Sequence, residues 1–260
     1  MPSRRLVYIG GSLRAIRQLV SRRPPPRSAR PRAPTPALDL GAWIVWQDAH
    51  LLAVDKPAGV LSQGGEGGGG VNLVDLARAR FGRGGIGVLH RLDRNVSGLV
   101  LLALDREAAR GLSAALAAGE VEREYVAVVR GQPAEDALSI DAPLVKDPRT
   151  NVVRVGDGEG AKAARTEVVV EARFQAPLGR CAVLAVRPIT GRSHQIRAHL
   201  AHVGLPIVGD PKYGVAAQSV RRPLLHARRM RFVHPISGET VEIVAPPPWR
   251  DDALRTLRRS

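Results

Sequence analysis

The apolar positions change their period several times along the chain, and each change marks an element. Leu99 to Leu104 is an unbroken apolar run, the length of a strand buried on both faces. Trp43 to Gln47 and Leu51 to Val54 read as two short strands joined by a turn at Asp48-Ala49-His50. A helix is predicted from Leu73 to about Arg80, with Asn72 as its N-cap. A second runs from Asp105 to Ala118, with Leu112 and Leu116 on one side and Gly119 closing it. Strands follow at 122–129, 168–171 and 182–187, and the polar, turn-rich stretch 131–165 reads as an irregular insertion or hairpin region. Thr190-Gly191 turns the chain into a helix that Gly204 stops after Val203. A late strand ends near Val233, a last one spans Thr240 to Val244, and Pro246-Pro247-Pro248 terminates it.

Charge divides the chain unevenly. The 260 residues carry a formal charge of +15, which points to a polyanionic partner, nucleic acid first and an anionic membrane second. Residues 1–36 hold nine arginines, seven prolines and no acidic residue, so +9 of the +15 resides there. Proline and like charge both oppose packing, so 1–39 is expected to be a flexible basic arm, either a leader without specific role or an RNA tether. Leu6 to Val20 is the one part of it with a pattern for a short amphipathic helix. The folded body is expected at 40–250, followed by a short basic helix at 251–260. No apolar run reaches the roughly 18 residues of a membrane helix, and the start lacks the sustained apolar core of a secretory peptide. The single cysteine, Cys181, cannot form an internal disulfide or a multi-thiolate metal site, which fits a reducing cytoplasm. With aromatics at 3%, grip by phosphate contacts and a shaped pocket is favoured over base stacking alone.

Several charged clusters interrupt the apolar pattern. Asp93 lies among His90, Arg91 and Arg94 just before the buried strand, which makes it a candidate catalytic carboxylate and equally a candidate structural ion pair. Pro57 and Gly59 force a bend that presents Lys56 at the sheet edge. Gly64 to Gly70 is six glycines and one glutamate, but no Gly-Lys-Ser/Thr follows, so it reads as a hinge or outer loop rather than a phosphate cradle. Tyr125 by itself reads as a core aromatic. His194, His199 and His202 lack the zinc-protease helix pattern, and a metal-dependent hydrolase would require them to converge with a carboxylate.

Four segments taken together resemble the RluA-type family of RNA pseudouridine synthases. They are Lys56-Pro57-Ala58-Gly59, His90-Arg91-Leu92-Asp93-Arg94 with Ser97-Gly98-Leu99, Thr190-Gly191-Arg192-Ser193-His194-Gln195-Ile196-Arg197, and Leu224-Leu225-His226-Ala227. They occur in the family's order within residues 40 to 250. The resemblance implies an α+β fold, with a mixed, mainly antiparallel sheet, flanking helices and a central catalytic cleft. It implies that Asp93 is the catalytic residue, that Tyr125 stacks on the target base and that Arg197 pairs with Asp93. Leu225 would line the pocket, Arg91 would help open the RNA or hold the flipped site, and Lys56, Arg192 and His194 would contact substrate. Val96 departs from the family, which usually has threonine there, and the small N-terminal RNA-binding domain of many relatives is not evident in 1–36.

The implied chemistry suits the residues. Isomerising uridine breaks and remakes one glycosidic bond with nothing oxidised and nothing released, so no cofactor and no metal is expected. A single carboxylate suffices because the base is retained, whereas glycosidases use two. It must be ionised, and burial disfavours that charge unless a guanidinium is nearby. The expected partner is ribosomal or transfer RNA, with ribosomal RNA favoured, and the expected state is a monomer without membrane contact. The competing reading is a non-catalytic RNA-binding or ribosome-assembly protein that keeps the fold.

Overall fold

A short 3-10 turn at Leu40–Trp43 leads into the folded body, capped by the Asp39 carboxylate, which accepts from the Gly41 amide. The computed structural model describes residues 4–8 (backbone only), 38–64, 70–82, 85–215, 220 and 222–249. Most of the expected arm, five residues of the glycine-rich loop and the expected C-terminal helix at 251–260 therefore lie outside the described residues. The elements in chain order are β1 (Arg4–Tyr8), β2 (Ile44–Gln47), β3 (Leu51–Lys56), α1 (Leu73–Phe81), β4 (Gly87–Val88), β5 (Ser97–Ala103), α2 (Arg106–Ala118), β6 (Glu122–Arg130) and β7 (Ala137–Asp141). They continue as β8 (Leu144–Asp147), β9 (Val152–Val155), β10 (Arg165–Ala176), β11 (Gly179–Pro188), α3 (Gln195–His202), β12 (Leu225–Val233) and β13 (Thr240–Val244).

Eleven of the strands form one mixed sheet whose main path runs β2-β3-β5-β12-β6-β11-β10-β7. β4 attaches to β5, and β13 attaches to β12 and carries β1. Only β12 with β5 and β1 with β13 are parallel; the other pairings are antiparallel. β8 and β9 form a separate hairpin. With the three α-helices found among the described residues this is the expected α+β architecture. β5 sits near the middle of the sheet with all seven residues buried, which is why Leu99 to Ala103 is uniformly apolar rather than alternating.

The caps follow the sequence closely. The Asn72 side chain accepts from the Asp75 amide at the start of α1, and Asp105 accepts from Ala108 at the start of α2. Gly82 and Gly119 close these helices in the left-handed region. Two expectations are corrected. Arg4–Tyr8 is an edge strand paired with β13, not the opening of a helix over 6–20. β10 and β11 form one long hairpin over Arg165–Pro188 instead of two short strands. Its outer residues alternate exposed and buried, so charged positions that read as loop are the solvent face of a strand.

β5 and β12 touch for only two residue pairs, Ser97 with His226 and Gly98 with Ala227. Gly98 has φ +116°, and a Cβ there would collide with the Ala227 backbone. Gly98→Ala therefore forces apart the strand that follows the Asp93 loop and the strand that carries Leu225. A loss of about 3 kcal/mol or more in urea unfolding is expected. A variant within about 1 kcal/mol of the parent would contradict this packing.

Candidate active site

Three of the four segments, through residues 90–94, 190–197 and Leu225, converge on an open cleft of about 1080 Å³ at one end of β5, β6 and β12, while the 56–59 segment packs behind the Asp93 loop without lining it. The loop between β4 and β5 supplies Asp93. Leu92 and Val96 on either side of it are buried, so the loop is pinned at both ends, and the Val96 amide donates to the Asp93 carbonyl at 3.0 Å. A second loop, 57–62, clasps it from below. Ser62 exchanges two hydrogen bonds with the Leu92 backbone, the Gly59 amide donates to the Arg94 carbonyl, and Arg94 Nε donates to the Gly59 carbonyl.

Lys56 is the tie beneath both loops. It is fully buried and its ammonium donates to the carbonyls of Pro57, Val60 and Arg94 at 3.0–3.3 Å. Burial pushes its pKa down to about 8, partly opposed by the Asp93 charge. The expectation that Lys56 stands at the sheet edge and meets substrate is corrected: its three donors are spent on backbone carbonyls.

Asp93 is met by an arginine 104 positions away. Arg197 Nη1 donates to Asp93 Oδ2 at 2.7 Å, while Arg197 Nε and Nη2 hold both oxygens of Asp210 at 2.6 and 2.8 Å. The Asp210 side chain has no solvent exposure and Asp93 has 27%. One guanidinium thus joins a sealed carboxylate to an open one, with geometry only a planar fork provides. Burial works against the Arg197 charge, but bonds and charge from Asp210 and Asp93 outweigh it and its pKa is raised. Burial likewise opposes the Asp210 charge, yet Arg197 and the Lys212 and Tyr213 amides hold its pKa below the usual carboxylate range. Arg91 and Arg94, the sequence neighbours of Asp93, make no ion pair with it among the described residues.

Helix α3 presents Arg197 because its first turn is locked by a buried polar network. Gln195 Oε1 accepts from the Thr190 hydroxyl and the Arg192 amide, and its Nε2 donates to the Arg165 carbonyl and Thr166 Oγ1. All four hydrogen-bonding positions of that amide are used, which fixes its orientation. His199 bridges Thr166 Oγ1 and the Ala142 carbonyl, so its proton sits on Nε2 and Nδ1 accepts from the threonine. His194 occupies the left-handed region at φ 54° before the helix. Its Nδ1 meets the Tyr213 hydroxyl at 2.8 Å and its Nε2 lies 3.8 Å from Asp93 Oδ1. A carboxylate on that side favours the tautomer in which Tyr213 donates to Nδ1 and Nε2 carries the proton.

The structure brings Asp93, Arg197, Tyr125, Leu225, Arg91, Arg192 and His194 to one cleft. Tyr125 is buried on β6 with its face in the wall, and Leu225 opens β12 beside it. Arg91 and Arg192 are exposed at the rim, Arg192 donating from Nε to the Ala163 carbonyl. His199 and His202 do not join His194 at the carboxylate: His199 turns into the sheet and His202 is exposed. Asp210 and Tyr213, which no sequence motif singled out, support the site through Arg197 and His194. Their signal was a carboxylate inside the Gly209-to-Gly214 turn, where glycine is required because a Cβ at Gly214 would collide with the Ile207 carbonyl.

Two histidines near the cleft are locked neutral. Burial pushes His226 down from 6.5 to about 4 and His90, which accepts from the Leu101 amide, to about 3. An unfolded histidine binds its proton at 6.5, so below that pH the unfolded chain holds protons that the folded chain refuses, and stability falls down to about pH 4. Asp55, pushed up by burial from 3.8 to about 6, gains its proton on folding and offsets part of that fall. The two histidines prevail, and the melting temperature is expected to drop by roughly 5–10 °C between pH 6.5 and pH 4. A flat or rising profile in a calorimetric pH series would contradict it.

Comparison with known proteins agrees with the geometry. A family model described as RNA pseudouridylate synthase matches residues 50–202. The chain is 34% identical over 229 residues to ribosomal large subunit pseudouridine synthase D of Zymomonas mobilis, covering 81% of this chain and 70% of that protein. It is 37% identical over 216 residues to ribosomal large subunit pseudouridine synthase C of Escherichia coli K12, covering 78% and 66%. The chain therefore spans about two thirds of the length of these relatives. Among solved structures, human RNA pseudouridylate synthase domain containing 1 superposes with a TM-score of 0.68 at 26% identity, covering 84% of this chain and 95% of that one. Human RNA pseudouridylate synthase domain containing 4, at 23% identity and a TM-score of 0.64 over 80% and 90%, shares the fold.

Proposed function

The chain belongs to the RNA pseudouridylate synthase family, and from that premise we propose that it isomerises uridines in RNA, with ribosomal RNA as the target class. The observation that carries this reading is the asymmetry of Asp93. Its Oδ2 is held by Arg197 at 2.7 Å, while Oδ1 lies 3.8 Å from His194 Nε2 and accepts no hydrogen bond among the described residues. Oδ1 is therefore the oxygen available to a flipped nucleoside. In the reaction the N1–C1′ bond of uridine breaks, the uracil turns, C5 bonds to C1′, C5 gives up its proton and N1 gains one. The carboxylate acts either by attacking C1′ or by removing a sugar proton, and both roles require the same ionised, oriented Oδ1.

The wall residues serve the turning base. Tyr125 offers a flat face and Leu225 an apolar edge, so uracil is confined without a hydrogen bond that would hold it in one orientation. Leaving the stack costs a few kcal/mol, which phosphate contacts on the flanking nucleotides offset. Arg91 and Arg192 at the rim are positioned for such contacts.

Target choice follows the relatives, which are named for the ribosomal large subunit. The test is incubation of the purified protein with in vitro transcribed large-subunit ribosomal RNA and with bulk transfer RNA transcripts, followed by pseudouridine mapping. Pseudouridine is expected at discrete sites of the ribosomal transcript. Modification confined to transfer RNA would overturn the target class, and modification of neither would overturn the activity. The proposed compartment is the cytoplasm, where a lone buried thiol such as Cys181 stays reduced.

A further inference from the structure

The sheet around the cleft keeps strict charge accounts on its outer face. On β6, Glu122 pairs with Arg231 and Arg187, and Glu124 pairs with Arg228, which also holds Glu171. Arg229 of β12 pairs with Glu242 of β13. Arg123 lies between those two glutamates in sequence, but side chains alternate along a strand, so it points to the opposite face with Tyr125. There it has no carboxylate within ion-pair distance among the described residues. Its Nε is sealed from solvent and makes no hydrogen bond.

An unpaired guanidinium held partly inside a protein is expensive unless something completes it. The surroundings of Arg123 do not discharge it. Its neighbour His90 is half-buried and its pKa is pushed down to about 3, first by burial and then by the charge of Arg123 itself. Across the cleft the chain comes close at Gly191, where a Cβ would lie 3.4 Å from Arg123 Nη1. A larger residue at 191 would crowd the guanidinium and narrow the opening in front of it. Both residues line the cleft.

We propose that Arg123 is the inner phosphate clamp of the cleft, binding a phosphodiester of the RNA next to the uridine held by Tyr125. Two residues apart on one strand face, Arg123 and Tyr125 are separated by about 7 Å along β6. That is the scale of one nucleotide from base to phosphate. The Nη groups that approach Gly191 offer paired donors suited to phosphate oxygens, and a bound anion balances a charge that no carboxylate among the described residues offsets. This assignment rests on the proposed action on RNA. It differs from the exposed Arg91 and Arg192 in depth: those sit at the rim, whereas Arg123 meets only a nucleotide that has entered.

The test uses the full chain and a transcript that the parent enzyme modifies, with Arg123→Gln and Arg123→Lys. Thermal melting of Arg123→Gln is expected to stay at or rise above the parent value, since no ion pair is lost and an uncompensated charge is removed. For Arg123→Gln, KM is expected to rise about tenfold while kcat falls less than about threefold. The slope of log affinity against log salt is expected to shrink by about 0.7–0.9, one phosphate contact. Arg123→Lys keeps the charge and should retain most of the slope while losing part of the affinity. An unchanged salt slope in Arg123→Gln overturns the proposal, whether kcat collapses, as for a contact to the base, or nothing changes. If the parent enzyme modifies no RNA, the proposed function fails first; if it does and the variant matches it, only the clamp fails.

Discussion

Asp93→Asn is expected to abolish pseudouridine formation, by about 10⁴-fold or more, while the protein stays folded and binds RNA at least as tightly. The expectation rests on how Arg197 is shared. Losing the Asp93 charge removes one of three hydrogen bonds at the guanidinium, and the buried pair with Asp210 remains. The helix that presents Arg197 keeps its Gln195 and His199 network. The fold should therefore lose no more than about 1–2 kcal/mol. Binding should hold or tighten, because the substitution removes a negative charge from a surface that receives a polyanion. Single-turnover assays beside filter binding separate the two effects. Turnover within tenfold of the parent would remove Asp93 from the chemistry and leave a non-catalytic RNA-binding protein as the better reading.

Asp210→Ala is expected to damage both stability and rate. Arg197 would lose two of its three acceptors in a place where neither charge reaches water, and the amides of Lys212 and Tyr213 would lose theirs. Removing one partner of a buried pair costs about 3–5 kcal/mol. For a chain of this size that is a fall of roughly 10 °C in melting temperature. The surviving fold should still turn over more slowly, by about 10²-fold, because the guanidinium that orients Asp93 is no longer held from behind. Asp210→Asn, which keeps an acceptor for the backbone amides, should recover part of the stability but little of the rate. Equal melting temperatures for parent and Asp210→Ala would show that the pair is not a support at all.

The two variants divide one guanidinium into its working and supporting halves. Arg197 reaches the open carboxylate through Nη1 and the sealed one through Nε and Nη2, and stacks at 4.9 Å over the Tyr213 ring. Tyr213 in turn bonds the His194 ring and receives the Val153 amide from the β8–β9 hairpin. The separate β8–β9 hairpin therefore helps to hold His194 and Arg197 against the Asp93 loop.

Local patterns were legible where local forces decide. The caps at Asn72, Asp105 and Gly119 act within four residues, and the apolar run at β5 needs no partner to declare itself. The resemblance of four short segments to one family located Asp93, Tyr125, Leu225 and Arg197, and the structure gathers them. Lys56 was misread because a lysine beside proline and glycine looks exposed; three carbonyls contributed by two loops make its burial possible. The long hairpin of β10 and β11 was read short because its solvent face is charged, and its strand character depends on pairing across to β6 and β7.

By itself, then, the sequence, read with its family resemblance, determined the α+β class, the strand that anchors the Asp93 loop, the helix caps and the carboxylate to propose as reactive. Only the tertiary structure decided which cations serve it. Asp93 has arginines at its sides in sequence, yet its partner comes from 104 positions away, because the loop turns Arg94 back onto Gly59 and leaves Arg91 at the rim. The same holds for Asp210 and Arg123. Whether a charge is paired, sealed or left open depends on which distant segment the fold brings against it, and no pattern of neighbours along the chain encodes that distance.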